Sequence, residues 1–488
     1  MKQLLLYILL GTFYASAQTQ IGSDIDGAAA NDQFGYAVSL SEDGTRMAIG
    51  GRYYDDGSNL NAGHVRIFEN NNGSWVQLGS DIVGTFDDNL GHSVSLNANG
   101  TRVAVGAPYY STTSNSVGQV KIYEYDAGVW QQIGTDIIGN ALNNWLGWSV
   151  SLSANGSTLA IGLPGNSNSF TYSGSVRLYE DINGTWTQIG NDIDGQSLSE
   201  FSGTSISLSD DGSTVAIGAA SYNSVQGVVR IYQNNAGTWA QVGSIIEGEA
   251  VGDQSGYSVS LNTDGSIVAI GAYQNDGNGS DSGHVRIYQN TGGTWTQIGS
   301  DIDGELANDG SGFSVSLCAD GSIVAIGAYQ NGGNNGPESG HVRIYKNNGG
   351  NWVQIGSDID GEASGDGSGW FVSLSGNGST VAIGAPTNDG NGSNSGHIRV
   401  YDLSQVLSTG EVDSIKDFKL YPNPAQHQFT VSVSDNASLE DIKVYNTLGQ
   451  LLIRSQSHTI NTSGLTSGTY LVDVTTDIGR STKKLIIE

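Results

Sequence analysis

One phrase recurs seven times along this chain of 488 residues, and it narrows the fold to an array of small, equal units. The phrase is Ile21-Gly22-Ser23-Asp24-Ile25-Asp26-Gly27. It returns from Leu78, Ile133, Ile189, Val242, Ile298 and Ile355. A repeat of roughly 55 residues is long enough for one small sheet and too short for an independent core. Seven such units suit a radial array of sheets.

Each unit reads as four strands. In the unit that begins at Gly256, Tyr257 to Leu261 alternates apolar with small polar residues, as a strand does. Asp264-Gly265 is a hairpin turn. Ile267 to Ala272 is a nearly continuous apolar run, the mark of a strand covered on both faces. A polar loop leads to a third strand, His284 to Tyr288. Thr291-Gly292-Gly293 then turns the chain into a fourth, Trp295 to Ile298. No 3.6-residue apolar period competes, and 71 glycines oppose helices. The expected fold is all-β: a seven-bladed propeller of four-stranded blades over residues 18–402, then a small C-terminal β-sandwich.

The seventh unit supplies only three strands, ending at Val400-Tyr401-Asp402, which would leave an exposed sheet edge. The missing fourth strand is expected from Gln20 to Asp24, so that the first and last strands lock the ring. Six fourth strands carry a Trp before the phrase (Trp75, Trp130, Trp186, Trp239, Trp295 and Trp352), read as packing residues; the closing copy has Gln18. Just upstream, Lys2, the apolar run Leu4 to Phe13 and Ala15-Ser16-Ala17 form the pattern of an export leader over residues 1–17. No later segment is long and apolar enough to span a bilayer as a helix.

The formal charge is −29, and residues 18–410 hold 39 of the 48 acidic side chains. A chain this acidic repels nucleic acid and anionic lipid, and leaves cations, basic surfaces or neutral sugars as partners. Cys318 stands alone, so no internal disulfide forms. Its counterparts in other units are small polar residues such as Ser41 and Asn97, which marks it as a tolerated substitution.

The unit resembles the FG-GAP repeat, the blade of the integrin α-subunit propeller. The first-strand matches are Phe34-Gly35-Tyr36-Ala37-Val38, Leu90-Gly91-His92-Ser93-Val94 and Leu146-Gly147-Trp148-Ser149-Val150. The second-strand matches are Val103-Ala104-Val105-Gly106-Ala107-Pro108 and Val381-Ala382-Ile383-Gly384-Ala385-Pro386. Members often carry an Asp-rich calcium loop between the first two strands. Here Asp43-Gly44 or Asn99-Gly100 makes a tight turn instead, so those calcium sites do not carry over.

Residues 418–488 resemble the C-terminal sorting domain of the type IX secretion system of Bacteroidetes. The motifs are Leu420-Tyr421-Pro422-Asn423-Pro424, Val444 to Gln450 with Gly449, Gly468-Thr469-Tyr470-Leu471-Val472, and Lys483-Lys484-Leu485-Ile486-Ile487. Residues 403–417 read as a linker. The resemblance implies handling by that machinery, passage across the outer membrane, and attachment to the cell surface or release.

Two of the connections in each unit are short glycine turns, and the other two are long and share the opposite face. Long loops on a rigid scaffold are where binding sits. Two rings recur there. Asp32, Asp88, Asn144, Glu200, Asp253, Asp309 and Asp366 are either an acidic crown or turn caps, and the cap reading is preferred. Tyr36, His92, Trp148, Thr204, Tyr257, Phe313 and Trp370 begin the innermost strands and line a channel mouth, where they stack on sugars or pack blade to blade. The loop Asp276-Gly277-Asn278-Gly279-Ser280-Asp281 places oxygens at alternate positions, which makes Asp276, Asn278 and Asp281 a candidate calcium site; no other cofactor is indicated.

Catalysis finds little footing. His64, His284, His341 and His397 are repeat equivalents and read as structural, His92 has no evident partner, and no nucleophile–base pair emerges. The expectation is an exported binding or adhesion propeller with a glycan or protein ligand on its long-loop face. An exported polysaccharide-acting enzyme and a structural surface component are the competing readings.

Overall fold

A computed structural model describes residues 18–111, 116–333, 335–408, 418–433, 439–446, 451–476 and 479–488. The expected leader (1–17) and the sorting-motif residue Gly449 lie outside them. The chain divides into two compact units, one ending at Ser404 and the other starting at Gln405.

Among the described residues of the first unit, seven antiparallel sheets follow one plan. In the first blade the strands are Phe34–Leu40, Arg46–Gly51, His64–Asn71 and Ser74–Gln77, with a two-residue continuation at Ile82–Val83. The third strand runs several residues beyond the sequence expectation, because the fourth pairs with it in two pieces. The recurring phrase is the break between those pieces. Gly79 takes φ +79° there, and a Cβ on it would meet Trp130 Cδ1 at 2.8 Å, so the phrase keeps a glycine on both counts. Gln77 Nε2 spans the break to Asp81 Oδ1 at 2.6 Å.

The core lies between blades rather than within them. Second strands are buried on both faces, and Val120 and Ile122 of blade two pack with Val150, Leu152, Leu159 and Ile161 of blade three. Polar links repeat round the ring. Ser39 Oγ of blade one accepts the Leu96 amide of blade two at 3.0 Å, and each later blade repeats the bond. Ser373 of blade seven accepts the Leu40 amide of blade one at 3.0 Å, which closes the ring. On the outside, Trp130 Nε1 donates to Leu78 O at 2.7 Å, and Trp75, Trp239, Trp295 and Trp352 do the same to the preceding phrase. These five tryptophans therefore act as hydrogen-bonded latches as well as packing residues.

Blade seven is completed by the N-terminal segment. Thr19 pairs with Asp402, Gln20 with Tyr401, Ile25 with Ile398 and Asp26 with His397. Leu403 is buried, its amide bonds Ser379 O at 2.7 Å, and Ser404–Ser408 forms a short helix. The expected linker thus starts as ordered chain; residues 409–417 lie outside the described ones.

The second unit holds a three-stranded sheet (Lys419–Tyr421, Gln428–Ser432 and Thr459–Asn461) and a four-stranded one (Leu439–Asn446, Leu451–Ser455, Gly468–Thr476 and Gly479–Ile487). Phe418, Phe429, Val431, Ile442, Val444 and Leu485 are among its core residues. The sorting motifs meet here. Asn423 Nδ2 donates to Lys484 O at 2.8 Å and Asn423 Oδ1 accepts the Ile486 amide at 2.9 Å. Lys483 Nζ donates to Phe418 O and lies 5.1 Å from that ring's centroid. Tyr421 is exposed.

Candidate functional site

The start of every inner strand points into the axis of the ring, because a short inner strand that enters from a long loop places its first side chain at the rim. Tyr36, His92, Trp148, Thr204, Tyr257, Phe313 and Trp370 together line a cavity of about 280 Å³ at the channel mouth. The six rings among these seven residues touch in sequence. Centroids are 4.6 Å apart for Trp148 and His92, 5.1 Å for His92 and Tyr36, and 6.0 Å for Tyr36 and Trp370. They are 5.0 Å for Trp370 and Phe313 and 4.7 Å for Phe313 and Tyr257. Thr204 leaves the one gap in this ring.

Burial keeps the titratable side chains of the rim itself uncharged. It pushes His92 down to about 3, helped by the charge of Arg52, so the imidazole is neutral at ordinary pH. Burial also raises the hydroxyls of Tyr36 and Tyr257. Behind the rim, the residues that follow the second strands add a second tier. Tyr273 lies 4.5 Å from Tyr257, Tyr329 lies 4.2 Å from Phe313, and the Arg52 guanidinium sits 3.7 Å over Tyr36.

A further aromatic group departs from the repeat. Trp145, Tyr172 and Phe201 stack nearly parallel, with centroids 5.7 to 6.4 Å apart, and Trp145 joins the rim through Trp148 at 5.9 Å. All three take positive φ, between 51° and 54°. That backbone costs a bulky residue of order 1 kcal/mol or more, so the rings occupy positions where Gly or Asn would be cheaper. Gln33, Asn89, Gln254 and Gly310 hold the equivalent positions to Trp145 and Phe201. The sequence reading missed Tyr273, Tyr329, Arg52 and this stack. The signal available was a lone departure from the repeat.

The acidic ring faces inward. Asp32, Asp88, Asp253, Asp309 and Asp366 are buried, and each accepts the amide of the residue three before it, from Ala29 to Asp32 at 2.7 Å and from Ala363 to Asp366 at 2.9 Å. They cap their own turns and present no crown to solvent. Glu200 caps its turn too, accepting the Gln196 amide at 2.9 Å, and its other oxygen pairs with Arg230, both residues buried. The loop at 276–281 is likewise spent on itself. Asp276 Oδ1 accepts the Asp281 amide at 2.9 Å, and Asn278 Nδ2 donates to Gly304 O at 2.8 Å. Cys318 is buried, and its Sγ accepts the Ile323 amide as Ser41 Oγ accepts that of Arg46.

The model of the FG-GAP repeat matches residues 24–68, 239–288 and 358–401, and that of the secretion system C-terminal sorting domain matches residues 419–488. The chain carries FG-GAP repeats and a C-terminal sorting domain. Each matched FG-GAP segment ends on or next to the third strand of a blade, the phase in which the ring closes. The sorting domain marks the chain for type IX secretion to the outer-membrane surface or the extracellular space. No helix among the described residues is long and apolar enough to cross a membrane. No curated protein matches the chain. Among similar solved structures is a putative 6-phosphogluconolactonase from Bacteroides uniformis ATCC 8492, at 12% identity and a TM-score of 0.47, covering 68% of this chain and 86% of that one.

Proposed function

We propose that this exported protein is a glycan-binding propeller of the cell surface or its surroundings, with the sugar chain lying along the aromatic track of the long-loop face. The observation that carries the reading is the continuous run from the Trp145–Tyr172–Phe201 stack through Trp148 to the rim. Neutral aromatic faces suit the apolar faces of sugar rings, and the net negative charge favours a neutral glycan over an acidic one. Among the described residues lining the mouth there is no carboxylate, whereas a glycosidase needs a facing pair.

The test is an array of neutral and acidic glycans and matrix proteins probed with the secreted chain. Binding to neutral polysaccharides that Trp145→Ala weakens supports the reading. Binding to proteins alone, or to nothing, overturns it.

A further inference from the structure

Blades five, six and seven each bring one histidine and two carboxylates together from three separate segments. The groups are Glu249, His284 and Asp301; Glu305, His341 and Asp358; and Glu362, His397 and Asp24. Within each group the candidate ligand atoms lie within 4.8 Å of one another. The local structure dictates this. The histidine opens the third strand, the aspartate is the fourth residue of the recurring phrase that pairs beside it, and the glutamate follows the preceding phrase.

The histidines are the reason to look further. His284 is buried, and neither ring nitrogen has a hydrogen-bond partner among the described residues. Its Nδ1 faces Asp301 Oδ2 at 3.8 Å and Glu249 Oε2 at 3.9 Å, too far for hydrogen bonds. His341 Nδ1 stands 3.9 Å from Asp358 Oδ2, and His397 Nδ1 stands 3.9 Å from Glu362 Oε2. Burial, reinforced by the neighbouring arginine, pushes His284 down to about 4 and lowers His341 and His397 too. A neutral imidazole gives the carboxylates no ion pair, yet it is the form that ligates metal.

The chain's own repeats supply a comparison. The glutamate occurs in three of the four blades that have both the histidine and the aspartate; blade one sets His64 3.6 Å from Asp81 without it. Blades one to four carry Ala28, Thr85, Asn140 and Gln196 at its position, and blades two to four replace the histidine with Gln119, Ser175 and Val228. Arg286, Arg343 and Arg399 approach the other oxygen of each glutamate at 3.7 to 3.9 Å and would orient it. The carboxylates are partly exposed and the imidazole lies at the floor, so an ion has a route in.

We propose that these three groups are equivalent binding sites for a divalent transition-metal ion of the zinc class, one in each of blades five, six and seven. One imidazole nitrogen and two carboxylates form a mixed donor set suited to zinc and poorly suited to calcium, which takes oxygen ligands. The sites are separate from the aromatic track and do not depend on a glycan being bound.

The test is zinc retained by the full secreted chain after dialysis, measured by elemental analysis, with calcium as the comparison ion. His284→Gln, His341→Gln and His397→Gln are the variants. Gln119 already fills this position in blade two, donating to Asp136 Oδ2 at 2.6 Å, so the fold has a precedent for the change. Glu249→Gln, at a partly exposed side chain, is a second, milder variant. The proposal expects three zinc ions per chain, one lost with each His→Gln, none left in the triple variant, weaker retention for Glu249→Gln, and no comparable calcium. Zinc that fails to bind, or that the triple variant retains in full, overturns it.

Discussion

Gln18 Nε2 donates to the main-chain oxygen of Ser357 at 2.7 Å, in the slot that a tryptophan fills between other blades. The last blade is therefore latched by the first residues of the described chain, and Ile21 and Ile25 pack into the core between blades seven and one. Ile25→Ala is expected to cost about 2 kcal/mol. Removal of residues 18–26 should cost more and expose the edge of His397–Asp402, a template for pairing with another copy. Thermal unfolding and light scattering check both outcomes: a lower midpoint for the first variant, and a lower midpoint with oligomers for the second.

The tryptophan latches should differ in strength. Trp130→Phe removes the bond to Leu78 O and is expected to destabilise by about 1 kcal/mol beyond any change in packing. Trp186 Nε1 is buried without a partner among the described residues, so Trp186→Phe should cost less or nothing. Denaturant midpoints of the two variants, measured side by side, decide this.

Acid should unfold the ring partly through His92. Its folded value of about 3 lies below the ordinary 6.5, so between those limits the unfolded chain holds a proton that the folded one does not. That contribution is fully present above pH 6.5 and falls away as the pH drops towards 3, by about 1.4 kcal/mol per pH unit. His92→Phe should flatten the stability–pH slope between pH 4 and 6 by about that amount. Equilibrium unfolding at several pH values measures it.

The Glu200–Arg230 pair in blade four is fully buried, and removal of one partner strands the other charge. Glu200→Ala is expected to cost roughly 3 to 5 kcal/mol, the largest single effect among the polar substitutions named here. Calorimetry on the variant reads it as a drop in melting temperature.

The repeat made much of the fold legible. Strand positions, blade number and the closing strand at Gln20 follow from the spacing of one phrase, because a radial sheet leaves few other ways to bury second strands such as Ile267–Ala272. The rim ring was legible for the same reason: its residues sit at one register position. What the repeat hid was side-chain direction. Asp32 and its equivalents turn inward to cap their loops, which a residue type at a register position does not reveal. Trp145, Tyr172 and Phe201 come from different loops, so their stacking depends on three-dimensional neighbours. His284 looked like packing until the fold set Glu249 and Asp301 beside it.

The aromatic track is proposed to bind a neutral sugar chain. The most direct test of this is calorimetric titration of the secreted chain with the best neutral glycan from an array, beside Trp145→Ala and Trp370→Ala. Each variant should lose at least about tenfold in affinity while its melting temperature shows it folded. Affinity unchanged in both folded variants would contradict it.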